Sequence, residues 1–566
     1  ETIWFSNFDD QRLYRQQPDE APEPITPEPA VERGDRYADM ATTPDGERLY
    51  CVRERHTESG DEPVNTLVTL PADGSGDPTV VADGHDFYSF PRVSPDGTRL
   101  AWTTWDHPAM PWDTTTLHVA TIEDNGLLTD TQQVLGGDEE SVFQPAWSPA
   151  GELHAISDRT GWWNLYPIEE FDEEPVALYP AEMEFGVPQW AFGLSTYTFL
   201  DDGRIVVRFG KQSTYQLGLL DRDADLEPVD LSDGRFPLTH IESDGEYVLF
   251  VAASPTQPVS IVRWRPSEDA AVLDHSLDID IDAAYIAEPE HLTFPTSNGE
   301  EAHALYYPPQ NPDVEEPADE HPPLVVVSHG GPTSETLPIL SLSGAPSIPL
   351  LTSRGIAVVD VNYRGSTGYG RAYRERLKGE WGVRDTIDCV NAARYLVKKG
   401  RVDGDRLAIE GGSAEGYATL CAVTYHDTFD AGVSYFGVAD VEALARETHK
   451  FESRYLDSLL GPLPDAKAIY HERSPVHHAE RIQCPMLLLQ GAEDAVVPPA
   501  QAKQMFAVLD ENAIPRAYIE FEGEQHGFRR TETRRHAAEA ELSFYGEVFD
   551  FTPADDVESM DLTSST

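Results

Sequence analysis

The sequence predicts two domains of different fold class, a β-propeller in the first half and an α/β domain in the second. Two observations carry this prediction. One turn-and-strand unit recurs five times before residue 283, and after about residue 285 apolar strands alternate with helical patterns. A multi-strand repeat of roughly 40–50 residues is typical of propellers. Alternating strands and helices indicate a parallel sheet with helices on both faces.

The repeated unit is a two-residue turn that ends in glycine and is followed by an alternating or apolar strand. Its copies read TPDGERLYCVRE, SPDGTRLAWTTW, SPAGELHAISDR, LDDGRIVVRFGK and SDGEYVLFVAAS. The turn glycines, at positions 46, 97, 151, 203 and 245, are 51, 54, 52 and 42 residues apart. A β-sandwich also contains such hairpins, but it would not keep this spacing through five units. The spacing therefore favours the propeller.

We assign residues 1–284 to the propeller, residues 285–552 to the α/β domain and residues 553–566 to a disordered acidic tail. The opening segment WFSNFDDQRLYR resembles the later strands of a blade that lacks its Asp-Gly hairpin. We therefore expect about six to seven blades and a ring that is incomplete at its start. In the second domain, LVVVSH at 324–329 and IAVVDVN at 356–362 predict buried parallel strands, and 383–400 predicts an amphipathic helix.

The charge of the chain limits its partners. With 100 acidic and 41 basic residues, the net charge is −59, which excludes nucleic acids and anionic membranes as partners. No apolar run is long enough to predict a transmembrane helix. At molar salt the Debye length falls to about 3 Å, which screens the self-repulsion of such a chain. Many carboxylates and few lysines therefore predict a cytoplasmic protein from a salt-loving organism.

Three strand ends in the second domain carry the side chains needed for nucleophilic catalysis. Ser413 follows LAIEGG, Asp494 follows PMLLLQGAE and His526 follows AYIEFEGEQ. Because the carboxyl ends of parallel strands meet at one edge of a sheet, we expect these side chains to converge. The chain order Ser, Asp, His is that of α/β-hydrolases. It predicts Ser413 as the nucleophile, His526 as the base and Asp494 as the group that orients the imidazole.

The tetrahedral intermediate of such a reaction needs backbone donors for its oxyanion. We expect one from the amide of Ala414, directly after the nucleophile, and one from Gly331 in the turn SHGGPTS. Each motif alone has an ordinary structural interpretation, such as a helix cap or a turn, but together they indicate a site. No His/Glu cluster has the spacing of metal ligands, so we expect no metal and no cofactor.

Position 415 departs from the nucleophile motif G-x-S-x-G, because it is Glu and not Gly. Glycine is normally needed there, since the sharp turn brings strand and helix close together. A carboxylate near His526 would also raise the pKa of the imidazole. Glu415 therefore leaves open a catalytically impaired scaffold protein as an alternative to an active enzyme.

Several longer phrases carry a family resemblance: HGGPTS, VNYRGSTGYGRAYRE, GGSAEGYATL, THKFESRYLD, QGAEDAVVPPAQA and FEGEQHGFRR, together with propeller phrases such as SFPRVSPDGTRLAW and SDRTGWWNLY. The chain resembles the prolyl oligopeptidase family of serine peptidases, closest to its acylaminoacyl-peptidase and dipeptidyl-aminopeptidase branch. The resemblance implies a serine peptidase that cleaves short peptides through Ser413, Asp494 and His526, with access limited by the propeller. Homo-oligomers are common in that family, so the resemblance also implies that this chain can form one. A small-molecule esterase or amidase on the same fold remains the alternative.

Three further charged residues are candidates for substrate binding. Glu452 and Arg454, in HKFESRYLD, follow the strand end SYFGVAD and would hold an amine and a carboxylate or carbonyl. A structural ion pair is an equal alternative for them. Glu140, on a propeller loop, would bind a peptide amino terminus, although a solvated surface position is the simpler interpretation. The sequence does not distinguish cleavage next to a free amino terminus, next to a blocked one or at an internal bond.

Overall fold

The computed structural model describes residues 2–58, 60, 62–169, 174–221, 225–232, 234–279, 281–315, 317, 320–341 and 347–562. Six antiparallel sheets follow one another along the first half of the chain as the blades of a propeller. In blade order, their strands are β1 (Ile3–Ser6), β2 (Leu13–Gln16), β3 (Glu23–Pro24); β4 (Asp35–Thr42), β5 (Arg48–Arg55), β6 (Val64–Pro71), β7 (Thr79–Ala82); β8 (Phe87–Val93), β9 (Arg99–Trp105), β10 (Thr116–Ile122), β11 (Leu128–Gly136); β12 (Val142–Trp147), β13 (Leu153–Ser157), β14 (Asn164–Ile168); β15 (Tyr197–Phe199), β16 (Ile205–Lys211), β17 (Thr214–Leu220), β18 (Leu226–Val229); and β19 (Phe236–Ser243), β20 (Val248–Ala253), β21 (Ser260–Trp264), β22 (Ala271–His275).

The five turn glycines confirm the repeat that the sequence predicted. Each joins the first two strands of a blade, from the second blade to the sixth, and each has a positive φ, between 71° and 99°. Glycine adopts this left-handed conformation without the steric cost that a Cβ brings. The six blades match the lower end of the predicted number, and the first contains three strands.

The second half of the chain forms one eight-stranded sheet with helices on both faces. Its strands are β23 (Glu290–Pro295), β24 (Glu301–Tyr307), β25 (Leu324–Ser328), β26 (Ala357–Asn362), β27 (Leu407–Gly412), β28 (Ala431–Tyr435), β29 (Met486–Gly491) and β30 (Arg516–Phe521). Its helices are α1 (Ile348–Thr352), α2 (Arg371–Arg374), α3 (Arg384–Lys398), α4 (Ser413–Tyr425), α5 (Val441–Glu447), α6 (Tyr455–Leu459), α7 (Lys467–Glu472), α8 (Pro499–Glu511) and α9 (Thr531–Phe549).

The strand order is β23-β24-β26-β25-β27-β28-β29-β30, and all pairs from β26 onward are parallel. The first two strands are antiparallel to their neighbours, which the prediction of a parallel sheet did not include. One face of the sheet packs against α3, α4 and α8, and the other against α1 and α9. This is an α/β-hydrolase domain, and β27, β29 and β30 end at the same edge of its sheet.

The segment after α9 lies along the α/β domain as far as Leu562, although we predicted a disordered tail from residue 553. The carbonyl of Leu562 accepts a hydrogen bond from the Arg516 amide at 2.6 Å. The Asp555 carboxylate pairs with the Arg354 guanidinium at 2.6 Å. Residues 563–566 lie outside the described part of the chain. Among the described residues, no helix is both long and apolar enough to cross a lipid bilayer.

Two arginines of α2 attach the α/β domain to the propeller. The Asp158 carboxylate, in the turn after β13, accepts from the guanidinium of Arg371 at 2.9 Å and from that of Arg374 at 2.6 Å. Asp158 and Arg374 are both buried, and the Arg374 guanidinium also lies 4.4 Å from the ring centre of Trp163. Each of these three charges is therefore paired with an opposite charge across the domain boundary.

A buried propeller carboxyl, Glu184, bridges the domains next to this network. It accepts from the backbone amides of Trp163 and Gly370, each at 3.0 Å. Burial raises the pKa of Glu184 from 4.5 to about 7, although both amides and Arg374 oppose that rise. The folded state therefore holds the carboxyl proton more tightly than the unfolded chain does. Its contribution to stability is full below about pH 4.5 and is lost as the pH rises through about 7.

We expect the difference in free energy of unfolding between the wild type and Glu184→Gln to fall by about 2 kcal/mol between about pH 5.5 and about pH 8. Glutamine keeps the shape of the side chain but carries no proton that titrates. Chemical denaturation of both proteins at several pH values measures this difference. Stability curves that run parallel across the range would contradict the assignment.

Candidate active site

Ser413 lies at a sharp turn where β27 passes directly into α4. The strand ends at Gly412 and the helix begins at Ser413, whose φ is +55°. This left-handed conformation is strained for a residue with a Cβ, and such strain is concentrated at functional sites. A Cβ on Gly416 would lie 2.6 Å from the Gly437 Cα, so glycine is needed at 416 for helix and strand to pack this closely.

Glu415 fits this turn because the neighbouring strand residue is a glycine. A Cβ on Gly411 would lie 2.7 Å from Glu415 Cγ and 2.8 Å from its Cβ, so the Glu415 side chain occupies the space that Gly411 leaves. In this turn, the close approach of strand and helix therefore requires glycine at positions 411 and 416, and not at position 415. The expected clash at Glu415 does not arise.

The Glu415 carboxyl lines the same cavity as Ser413 and His526. Its pKa is raised well above its ordinary range, first by burial and then by the nearby Asp360 carboxyl. Burial therefore favours the neutral form of this carboxyl over the carboxylate.

We expect Glu415→Gly to lower the free energy of unfolding by about 1–2 kcal/mol. Glycine in a helix costs about 1 kcal/mol relative to good helix formers, and the space beside Gly411 would lose its side-chain contact. The denaturant midpoint should fall with little change in the slope of the unfolding transition. An unchanged or higher midpoint would show that the Glu415 side chain does not support the turn.

Asp494 and His526 form a hydrogen-bonded pair at the same sheet edge. Asp494 is buried, and its Oδ2 lies 2.8 Å from His526 Nδ1. Its Oδ1 accepts from the backbone amides of Val496 and Val497, both at 2.9 Å. These amides hold the carboxylate in place, so that Oδ2 fixes the orientation of the imidazole. The Nε2 atom of the ring is left for a group in the cavity.

A cavity of about 520 Å³ contains Ser413 and His526 together. Gly330, Phe436 and Phe528 also line it. The ring of Phe436 lies 4.8 Å from the imidazole of His526, centre to centre, and limits its movement. Our sequence interpretation missed Phe436, although it directly follows β28 and the strand-end rule applied to the other three residues would have found it.

The turn after β25 borders the cavity through Gly330, and Gly331 follows it with a φ of +123°. A Cβ on Gly331 would lie 2.9 Å from the amide nitrogen of Thr333, so this position requires glycine. Thr333 is held from both domains: its carbonyl accepts from Trp190 Nε1 of the propeller at 2.7 Å, and its hydroxyl lies 2.6 Å from that of Tyr455. The propeller therefore fixes the turn that we expect to supply an oxyanion donor.

The second expected donor, the Ala414 amide, and the histidine that precedes the glycine turn are both placed by local structure. The amide of Ala414 lies in the first turn of α4, where backbone N–H groups have no partner within the helix. His329 is buried with Nε2 2.6 Å from the Ser366 hydroxyl, and burial lowers its pKa to about 4. His329 is therefore a neutral structural residue that braces the glycine turn.

The three predicted substrate-binding residues do not line this cavity. Glu452 accepts from the Thr448 hydroxyl at 3.3 Å, and Arg454 is exposed and pairs with Asp457 at 2.7 Å. Glu140 accepts from the hydroxyl of Ser157 and lies 3.7 Å from Arg159. These local partners favour the structural alternative for Glu452 and Arg454, whereas Glu140 is half-buried and paired and is therefore not the solvated surface residue of the simpler interpretation. In the part of the chain that the structure describes, no group of three or more His, Cys, Asp or Glu side chains is arranged to hold a metal ion.

Comparison with known proteins identifies the family. The family model described as the prolyl oligopeptidase family matches residues 343–552. A solved structure of a puromycin-hydrolyzing peptidase from Mycobacterium tuberculosis is 43% identical, with a TM-score of 0.93 over 99% of this chain and 86% of that one.

Two curated relatives match shorter parts of the chain. Dipeptidyl aminopeptidase BIII of Pseudoxanthomonas mexicana is 35% identical over 38% of this chain. Acylamino-acid-releasing enzyme 1 of Oryza sativa subsp. japonica is 30% identical over 37% of it. The matches span 32% and 28% of those two relatives. The fold, the whole-length likeness to the mycobacterial structure and the family match agree: the chain belongs to the prolyl oligopeptidase family.

Proposed function

We propose that the protein is a serine peptidase that hydrolyses short peptides through an acyl-enzyme on Ser413. The observation that carries the proposal is the His526–Asp494 pair at 2.8 Å, whose imidazole lines the cavity that contains the strained Ser413. A serine hydroxyl is a weak nucleophile unless a base removes its proton. Here His526 is the base, and Asp494 keeps the proton of the imidazole on Nδ1 so that Nε2 can accept.

The reaction proceeds in two halves. As Ser413 Oγ bonds to the scissile carbonyl carbon, its proton moves to His526 Nε2, and the amides of Ala414 and Gly331 stabilise the oxyanion. The carbon–nitrogen bond then breaks, and the leaving amine takes the proton from His526. In the second half, water attacks the acyl ester with His526 again as base, which releases the acid product and restores Ser413.

The short length of the substrates is supported by the propeller. Its Trp190 donates to Thr333 in the turn expected to supply an oxyanion donor, and α2 of the catalytic domain is bound to the propeller carboxylate of Asp158. We expect a propeller held against the catalytic domain in this way to admit short peptides and to exclude folded proteins. The neighbouring structures described as puromycin-hydrolyzing support the same limit, since their named substrate is a small amide.

The test is covalent labelling combined with a substrate panel. A fluorophosphonate probe should modify Ser413, as read by peptide mass mapping. p-Nitroanilides of free amino acids, acyl-amino acids and X-Pro dipeptides, together with puromycin, then define the acyl group that is preferred. Neither labelling nor turnover of any of these compounds would contradict the proposal.

The two alternatives are separated by the same experiments. An esterase or amidase of small molecules would cleave matched esters far better than peptide amides, which a comparison of kcat/KM detects. The scaffold alternative depended on a steric clash at Glu415. Because the space beside Gly411 accommodates the Glu415 side chain, the reason for that alternative no longer holds. Measurable turnover by the wild type would exclude the scaffold.

A further inference from the structure

The segment after His526 is unusually basic for this chain. Residues 528–535 read FRRTETRR and contain four arginines, in a protein with 41 basic residues and a net charge of −59. Two of them, Arg529 and Arg534, line the cavity that contains Ser413. In so acidic a protein an anionic ligand is repelled at long range, so local cations at the reaction site need an explanation.

Hydrogen bonds hold the backbone of Arg529 and the side chain of Arg534. The buried Glu524 carboxylate accepts from the backbone amides of Arg529 at 2.9 Å and Arg530 at 3.0 Å, which anchors the segment after His526. Arg534 donates its Nε to the carbonyl of Phe528 at 2.8 Å. Both residues line the cavity that also contains His526, and both are exposed.

The guanidinium groups of Arg529 and Arg534 remain available to bind an anion. Among the described residues, no carboxylate lies within salt-bridge distance of Arg529 or Arg534, whereas Arg535 pairs with Glu539 at 3.0 Å. The two carboxyls on the cavity wall, Glu415 and Glu541, both have a pKa that burial raises, to about 7 for Glu541. They therefore compete less for the arginines than ionised surface carboxylates would.

In the proposed reaction, the leaving group occupies the side of the cavity next to His526. His526 must protonate the leaving nitrogen, so the leaving group lies against His526 and the residues that follow it. A leaving group of one or two residues spans at most about 7 Å, which keeps its C-terminal carboxylate inside the cavity. Arginine is the side chain best suited to bind a carboxylate there, with two parallel hydrogen bonds.

We propose that Arg529 and Arg534 bind the C-terminal carboxylate of the leaving group, so that the enzyme selects peptides that end one or two residues after the scissile bond. This inference rests on the proposed peptidase function and adds a specificity on the leaving-group side. It predicts that the free carboxylate, rather than chain length alone, promotes cleavage of a short peptide.

The experiment compares two peptides that differ only at the C-terminus. The residue X that is preferred in the p-nitroanilide panel is extended to X-Gly-Gly and to X-Gly-Gly-amide, and kcat/KM is measured for both at one fixed salt concentration, because ionic strength screens the contact. We expect the acid to be preferred about tenfold or more, mainly through KM. In the double variant Arg529→Ala/Arg534→Ala this ratio should fall to about one.

Arg535→Ala is the matched control, since Arg535 lies in the same basic segment but pairs with Glu539 and does not line the cavity. It should keep the wild-type preference for the acid. Inhibition of the wild type by Gly-Gly and by Gly-Gly-amide tests the same contact without any substitution, and the acid should bind more tightly. Equal cleavage of acid and amide by the wild type, or a preference that survives in the double variant, would overturn the inference. Absence of both fluorophosphonate labelling and turnover of the whole substrate panel would instead contradict the peptidase function itself.

Discussion

Ser413→Ala should lower kcat by at least about 10⁴-fold on every substrate that the wild type cleaves. The variant keeps the cavity, the oxyanion donors and the Asp494–His526 pair, but it cannot form the acyl-enzyme. The kcat of purified variant and wild type on the preferred p-nitroanilide measures the loss, and the fluorophosphonate label should disappear with it. Turnover within about tenfold of the wild type would show that another nucleophile acts.

Ser413→Gly is the companion variant, because it separates the strain of the turn from the chemistry of the hydroxyl. It should be as inactive as Ser413→Ala. Glycine accepts the φ of +55° without a Cβ penalty, so its free energy of unfolding should exceed that of the alanine variant by about 1–2 kcal/mol. Equal stability of the two would mean that the turn relaxes once the serine is removed.

Asp494→Asn should lower kcat by about 10⁴-fold. Asp494 Oδ1 accepts from two backbone amides, so the single amide oxygen of asparagine is drawn to that position. Its NH₂ group then faces His526 Nδ1 and requires that nitrogen to be unprotonated. The proton therefore moves to Nε2, which can no longer accept the proton of Ser413.

Gln490→Met is the matched control for this substitution. Gln490 donates to Asp494 Oδ2 at 3.3 Å, a long contact on the same carboxylate oxygen. Its loss should lower kcat by less than about tenfold, since the two amides on Oδ1 still hold the carboxylate. If Asp494→Asn were no more damaging than Gln490→Met, the tautomer argument would be wrong.

Features that depend on local chain geometry could be predicted from the sequence. The blade turns need glycine at positive φ, so glycines recur at regular spacing in the sequence whatever the rest of the fold is. The order of Ser413, Asp494 and His526 at strand ends could be recognised for a similar reason, because parallel strands deliver their carboxyl ends to one edge. The catalytic roles of these residues stay predictions, as do the cytoplasmic location, the oligomeric state and the salt-loving origin.

Features that depend on contacts between distant segments could not be predicted from the sequence. The sequence marked Glu415 as a departure from the motif, and only the packing of Gly411 against its side chain explained why it is tolerated. Trp190 lies 143 residues from Thr333, and no pattern in either segment indicates their hydrogen bond. Local conformation is encoded by neighbours in the chain and therefore determined the propeller repeat, the sheet edge and the positions of Ser413, Asp494 and His526 at it. Burial and charge pairing arise only when remote segments meet, so the tertiary structure alone decided the fit of Glu415, the anchoring of Thr333 by Trp190 and the placement of Arg529 and Arg534 at the cavity.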